Sequence, residues 1–165
     1  MLGIILTKAT GMSIAEYASQ KLWTPLNANH AAQWSLDNEN GYEKAFCCFY
    51  SNARDFARYG KLYLQKGNWE GKQIVDSNYV NATTTANLLV DKETNQPTEN
   101  YGYQFWITNY DNHHIFYMRG ILGQYVIVIP DKNIIIVRLG EVRSTDKEGK
   151  ANDYPIFIEE VMKMF

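Results

Sequence analysis

The stretch Tyr117–Gly140, YMRGILGQYVIVIPDKNIIIVRLG, decides the fold class. Tyr125 to Ile129 and Ile134 to Val137 are unbroken aromatic and β-branched runs, which suit a pleated surface better than a helix. Pro130-Asp131-Lys132-Asn133 separates them, and so short a link demands antiparallel pairing. Both faces of both runs are apolar, so the sheet they build is covered on two sides. Upstream, YGYQFWITN (101–109) and HHIFYMRG (113–120) have the same character with turn-forming residues between them, which predicts four strands in all.

Working outward, VRSTDKEGKAND (142–153) reads as a charged loop, after which Asp153 and Pro155 open a helix with Ile158, Val161, Met162 and Phe165 on one stripe. Toward the N-terminus, residues 83 to 100 read as an exposed polar loop. Asp76 caps a brief helix around Tyr79 and Val80, and Asn68 to Val75 forms a turn with a short extended piece. The strongest helix is capped by Ser51 or Asn52, carries Phe56, Tyr59 and Tyr63 on one face, and closes at Lys66-Gly67. Asn27 to Gly41 is a polar loop with Trp34 as its anchor into the core. Ser13 and Glu16 form a capping box for a helix that Pro25 ends. Leu2, Ile5, Leu6 and Ala9 lie at helical spacing with Gly11 as the C-cap, yet this first helix has no capping residue before it, which predicts polypeptide upstream of Met1. With no repeat and no linker, the chain reads as a single α+β domain over residues 1–165, an antiparallel sheet flanked by helices.

Hydrophobic residues at 45% and charged residues at 21% exclude a disordered tail, and sixteen basic against eighteen acidic residues give no electrostatic footprint for nucleic acid or an anionic membrane. No apolar stretch has the length of a bilayer span, and no signal-peptide pattern opens the chain. Compartment stays unassigned. Cys47 and Cys48 are adjacent, cannot join distant segments and have no partner at zinc-ligand spacing, so they are expected to be buried thiols.

No metal or cofactor site is expected. His113 and His114 are neighbours on a strand and point to opposite faces, and His30 reads as a surface histidine in the polar loop. Gly120 and Gly123 lack the companions and the lysine of a phosphate loop. Ser144-Thr145-Asp146-Lys147 has the letters of a Ser-x-x-Lys nucleophile motif, but it lies in the charged loop with nothing apolar to depress the lysine pKa, so it is read as chance. Tyr50-Ser51-Asn52 spells a Tyr-x-Asn element, yet helix capping accounts for it. Glycines within a strand mark a bulge or a close approach, so Gly120 and Gly123 predict either a docking backbone or ligand, or a helix packed against them.

The ordered segments GMSIAEYASQKLWTPL, NARDFARYGKLYLQKGNWEGKQIV, YGYQFW and RGILGQYVIVIPDKNIIIVRLG resemble the C-terminal portion of serine hydrolases related to class C β-lactamases, and within them the 6-aminohexanoate-dimer hydrolase type. The resemblance covers nearly the whole chain and implies an incomplete β-lactamase/transpeptidase-like fold. It further implies that the Ser-x-x-Lys helix and the Tyr element precede the segment that MLGIILTKATG resembles, so no catalytic residue is assigned here and the chain alone is expected to be inactive. The family's third motif, Lys/His-x-Gly, falls on Met118-Arg119-Gly120, with Met118 in the basic position. The resemblance makes Met118, Arg119, Gly120, Ile121, Gly123 and Gln124 the oxyanion strand and substrate wall, with the Ile121 N–H as one oxyanion donor. Tyr101, Tyr103 and Trp106 either wall a substrate pocket or pack in the core. Asp55 and Arg58 match a recurrent string and read as a structural ion pair.

The implied substrate is a small amide or ester, hydrolysed through an acyl-enzyme. A competing reading is a non-catalytic binding or self-association domain using exposed strand edges, with a homo-oligomer as its consequence. A third is a degenerate relative that keeps the scaffold for ligand binding.

Overall fold

The computed structural model describes residues 1–86, 90, 94–142, 144 and 153–165. Four strands, β5 (Trp106–Tyr110), β6 (His113–Arg119), β7 (Tyr125–Ile129) and β8 (Ile134–Arg138), form an antiparallel sheet in chain order. Phe116 pairs with Val128, and Val128 with Ile135. The link from β7 to β8 is a 3-10 turn over Pro130–Lys132 with Asn133 in the left-handed region. The predicted four strands and their direction are thus present.

Every residue of β7 is buried. Period-two alternation sends Val126 and Val128 toward α3 (Ala53–Leu64) and sends Tyr125, Ile127 and Ile129 toward α5 (Tyr154–Met162). On the α3 side Tyr63, Phe105, Ile107 and Phe116 complete one core cluster. On the α5 side Ile115, Tyr117 and Ile158 complete another. Gly60 lets α3 come close: a Cβ there would stand 2.9 Å from Val126 Cγ1 and 3.0 Å from Ile135 Cγ2.

The remaining elements follow local rules. α1 (Leu2–Thr10) ends at Gly11 with φ 69°, and α2 (Ile14–Ala18) has its reciprocal Ser13–Glu16 capping box. α2 continues as a π-helical turn over Ser19–Trp23, where Thr24 N–H reaches back to the Ser19 carbonyl. A small hairpin pairs β1 (Gln33–Trp34) with β2 (Phe49–Tyr50), a second pairs β3 (Asn68–Trp69) with β4 (Lys72–Gln73), and Asp76 caps α4 (Ser77–Thr83). Among the described residues no helix is long and apolar enough to cross a membrane.

Several expectations are corrected. Cys47 and Cys48 are joined by a disulfide and are half-buried; a positive φ of 66° at Cys48 belongs to the turn that brings the adjacent sulfurs together. Trp34 stays half-buried and anchors its own hairpin, donating Nε1–H to the Lys44 and Cys47 carbonyls with its ring against Phe49. Phe165 lies past the end of α5 and is exposed, so the stripe stops before it. The Thr145, Asp146 and Lys147 of the chance motif lie outside the described residues, as does most of the charged loop.

Asp55 fastens the N-terminus of α3 to the polar loop. Its side chain is 0% exposed, and it accepts from the N–H groups of Asn29 and His30, from Asn52 Nδ2 at 2.6 Å and from Arg58 Nε at 3.3 Å. Asn52 in turn caps α3 by accepting from the Asp55 N–H. Burial alone would push the Asp55 carboxyl up, but the Asn29 N–H, the Asn52 amide and the His30 N–H outweigh it and hold the carboxyl below its ordinary value. A lowered folded pKa means that the stabilisation is complete above the unfolded value of about 4 and is lost as pH falls through the folded one. Asp55→Ala is expected to lower unfolding free energy by about 3 kcal/mol, leaving four donors without their acceptor. Denaturant titrations from neutral to acid pH should show a smaller acid loss in the variant than in the parent.

Candidate active site

Strand β6 ends at Arg119, and the chain turns over Gly120–Gln124 before β7 begins. Gly120 and Gly123 therefore occupy the connection between strands, not a strand interior, which corrects the sequence expectation. The group approaching Gly120 is the side chain of Gln124, 2.3 Å from where a Cβ would stand, and Gly123 needs its φ of 82° to close the turn. Gly120 N–H donates to the Gln124 carbonyl at 2.8 Å and Gly123 N–H to the Gly120 carbonyl at 3.3 Å.

Two side chains clamp this turn. Gln124 accepts from the Leu122 N–H at 3.1 Å through Oε1 and donates to the Gly140 carbonyl through Nε2. Arg138, the last residue of β8, donates to the Gly123 carbonyl and, at 3.0 Å, to the Val142 carbonyl. The turn is thereby tied to the segment after β8. Within it the Ile121 N–H makes no hydrogen bond among the described residues. Ile121 itself is 78% exposed, and Leu122, Leu139 and Val142 are exposed beside the same turn.

The edge of β6 opens at this point. Pairing with β5 starts at Trp106 against Tyr117, so Met118 and Arg119 are laddered only to β7. Met118 packs on the α3 side with the Tyr63 and Phe105 cluster. Arg119 lies on the α5 side, its guanidinium carbon 3.9 Å from the Trp106 ring centroid. Tyr101 meets Trp106 edge-on at 5.0 Å, so two of the three proposed wall aromatics are together. Tyr103 is exposed, and its backbone N–H is tied to the Thr83 carbonyl.

Other chemical groups fall into structural roles. His113 pairs with Asp131, while His114 bonds the Thr84 carbonyl, so the two histidines serve different partners. Among the described residues no group of three or more histidines, cysteines or carboxylates is placed to hold a metal ion. His30, Ser51 and Asp55 supply the residue types of an acyl-transfer triad around a hollow of about 290 Å³ that Tyr50, Asn52 and Gln33 also line. The wiring is wrong for that use: Ser51 Oγ has no hydrogen-bond partner, and the Asn52 amide lies against both His30 Nδ1 and Asp55 Oδ2. Burial pushes the hydroxyl pKa of Tyr59 and of Tyr117 well up, so neither can serve as a phenolate base. No serine among the described residues is hydrogen-bonded to a lysine.

The arrangement can present one fixed backbone donor to a carbonyl oxygen. An antiparallel sheet covered by helices on both faces, with such a turn at an open strand edge, is the scaffold of an acyl-transfer hydrolase. The family model described as Beta-lactamase matches residues 1–159, and the chain belongs to that family. It is 27% identical over 144 residues to the 6-aminohexanoate-dimer hydrolase of Paenarthrobacter ureafaciens, covering 84% of this chain and 36% of that protein. Among solved structures it matches a protein of Bacillus anthracis assigned as a 6-aminohexanoate-dimer hydrolase, with a TM-score of 0.83 and 25% identity over 99% of this chain and 40% of that one. It also matches an octameric penicillin-binding protein homologue from Pyrococcus abyssi, with a TM-score of 0.70 and 21% identity, again over 99% of this chain and 40% of that one. The chain thus spans about two fifths of the length of these relatives.

Arg138 was missed at the sequence level. Its only signal is a cation closing an apolar strand just before Gly140, and its targets are carbonyls 15 and 4 residues away. Replacing it with Leu, or Gln124 with Ala, should free the turn while leaving the sheet intact. Amide exchange at Gly120 and Gly123 is expected to quicken about five- to tenfold, the loosening that follows from losing a hydrogen bond or two, with β7 protection unchanged.

Proposed function

We propose that residues 1–165 form the C-terminal portion of a single serine-hydrolase domain, contributing the sheet and one oxyanion donor to a site that hydrolyses a small amide or ester through an acyl-enzyme. The observation that carries this reading is the Ile121 N–H, unpaired and exposed in a turn that Gln124 and Arg138 hold from either side. Such a donor acts where the carbonyl oxygen becomes an oxyanion, and it is effective because its direction is set before reaction begins. Family membership and the hydrolase names of the relatives support the same chemistry.

In this reading the serine, the lysine that takes its proton and the tyrosine that assists belong to polypeptide outside these residues. The second oxyanion donor is the nucleophile's own N–H. Met118, Arg119, Gly120, Ile121, Gly123 and Gln124 line the acyl side, and Tyr101 with Trp106 forms the adjoining wall.

The test is covalent labelling with a serine-directed fluorophosphonate. The isolated chain is expected to take up none. A longer polypeptide that carries an in-frame Ser-x-x-Lys upstream of Met1 is expected to label at that serine. Stoichiometric labelling of the isolated chain would overturn the assignment of the nucleophile to other polypeptide.

A further inference from the structure

Resting on that hydrolase reading, we propose that Arg119 anchors a carboxylate carried by the substrate, so that the amide or ester cleaved belongs to a carboxylate-bearing class. Arg119, Tyr125 and Arg138 are opposite one another across β6, β7 and β8. The two arginines of this row are used differently. Arg138 spends its N–H groups on the Gly123 and Val142 carbonyls and lies over the Phe157 ring. Arg119 is half-buried and stacked on Trp106, yet among the described residues it donates no hydrogen bond and pairs with no carboxylate.

A guanidinium lying on an aromatic ring keeps its N–H edge free, and that edge is a planar fork matching the two oxygens of a carboxylate. The stack also fixes where the fork points. Trp106 is braced by Tyr101 edge-on at 5.0 Å and by Tyr117 in a parallel stack at 6.5 Å, and Tyr117 is backed by Tyr154 at 4.8 Å. Half-burial weakens competition from water for that fork. Its place in the chain completes the case: Arg119 is two residues from the Ile121 amide, on the part of β6 that β5 leaves unpaired. A fork for an anion and a donor for a carbonyl oxygen thus share one open strand edge.

The experiment uses the chain as it is, with N-acetyl-β-alanine as the carboxylate probe and its uncharged primary amide as the control, ionic strength balanced with chloride. Nuclear magnetic resonance follows the Arg119 Nε–H and Trp106 Nε1–H signals. The acid is expected to shift both saturably and to bind at least about tenfold more tightly than the amide, the margin of a charge-assisted fork over a neutral contact. Arg119→Gln should abolish the difference, while Arg119→Lys, which keeps the charge without the fork, should retain only part of it. Equal binding of acid and amide, no saturable shift, or unchanged acid binding in Arg119→Gln would overturn the proposal. The comparison of acid with amide on the parent chain needs no variant to fold. Serine labelling and carboxylate binding fail separately: an anchor without a labelled serine upstream leaves the fork standing and removes the hydrolysis, whereas the reverse removes only the substrate class.

Discussion

Burial of β7 on both sides is the constraint from which the rest follows. Five consecutive side chains, Tyr125 to Ile129, leave water together, and the strand is stable only while α3 lies on one face and α5 on the other. Fully burying an aliphatic side chain of this size is worth about 1.5–3 kcal/mol, whereas a turn hydrogen bond nets about 1 kcal/mol. The strand therefore sets the position of the turn, and the Gln124 and Arg138 clamps refine it. Gly60 belongs to the same constraint, because any larger residue would force α3 away from Val126 and Ile135.

What could be read from the sequence is what local chemistry determines. Apolar runs on both strand faces, the four-residue link at Pro130, the Ser13–Glu16 box and the Asp76 cap each involve residues within a few positions of one another. Contacts across long separations could not be read in this way. Asp55 is bound by backbone donors 25 and 26 residues earlier, so its burial has no signature in the helix that carries it. The Cys47–Cys48 bond depends on a left-handed backbone at Cys48, and adjacency alone gave no sign of it. Trp34 reads as a core residue by type, but its indole N–H is needed by two hairpin carbonyls, which keeps it at the rim.

The candidate site was legible in a different sense. Glycine spacing at 120 and 123 left close approach and helix packing equally open, and the answer is neither as first framed: the approaching group is Gln124, four residues along. The role of the segment came from resemblance. The structure adds the physical means by which such a segment works: a turn short of one internal hydrogen bond, held from outside by side chains.

The exchange of character between positions 118 and 119 has a geometric reading. Side chains alternate across a strand, so a cation one residue further along β6 faces the other side of the sheet. Met118 is packed with the cluster of Tyr63, Phe105 and Phe116, where an ammonium would lose its hydration with no carboxylate among those neighbours to repay it. Arg119 instead meets the Trp106 ring, which stabilises a cation without neutralising it. The open edge of β6 thus keeps a positive charge available in spite of the methionine, but directs it from the α5 side and not from the α3 side. A substrate lying along that edge would meet its counter-charge on the face that Trp106, Tyr117 and Tyr154 define.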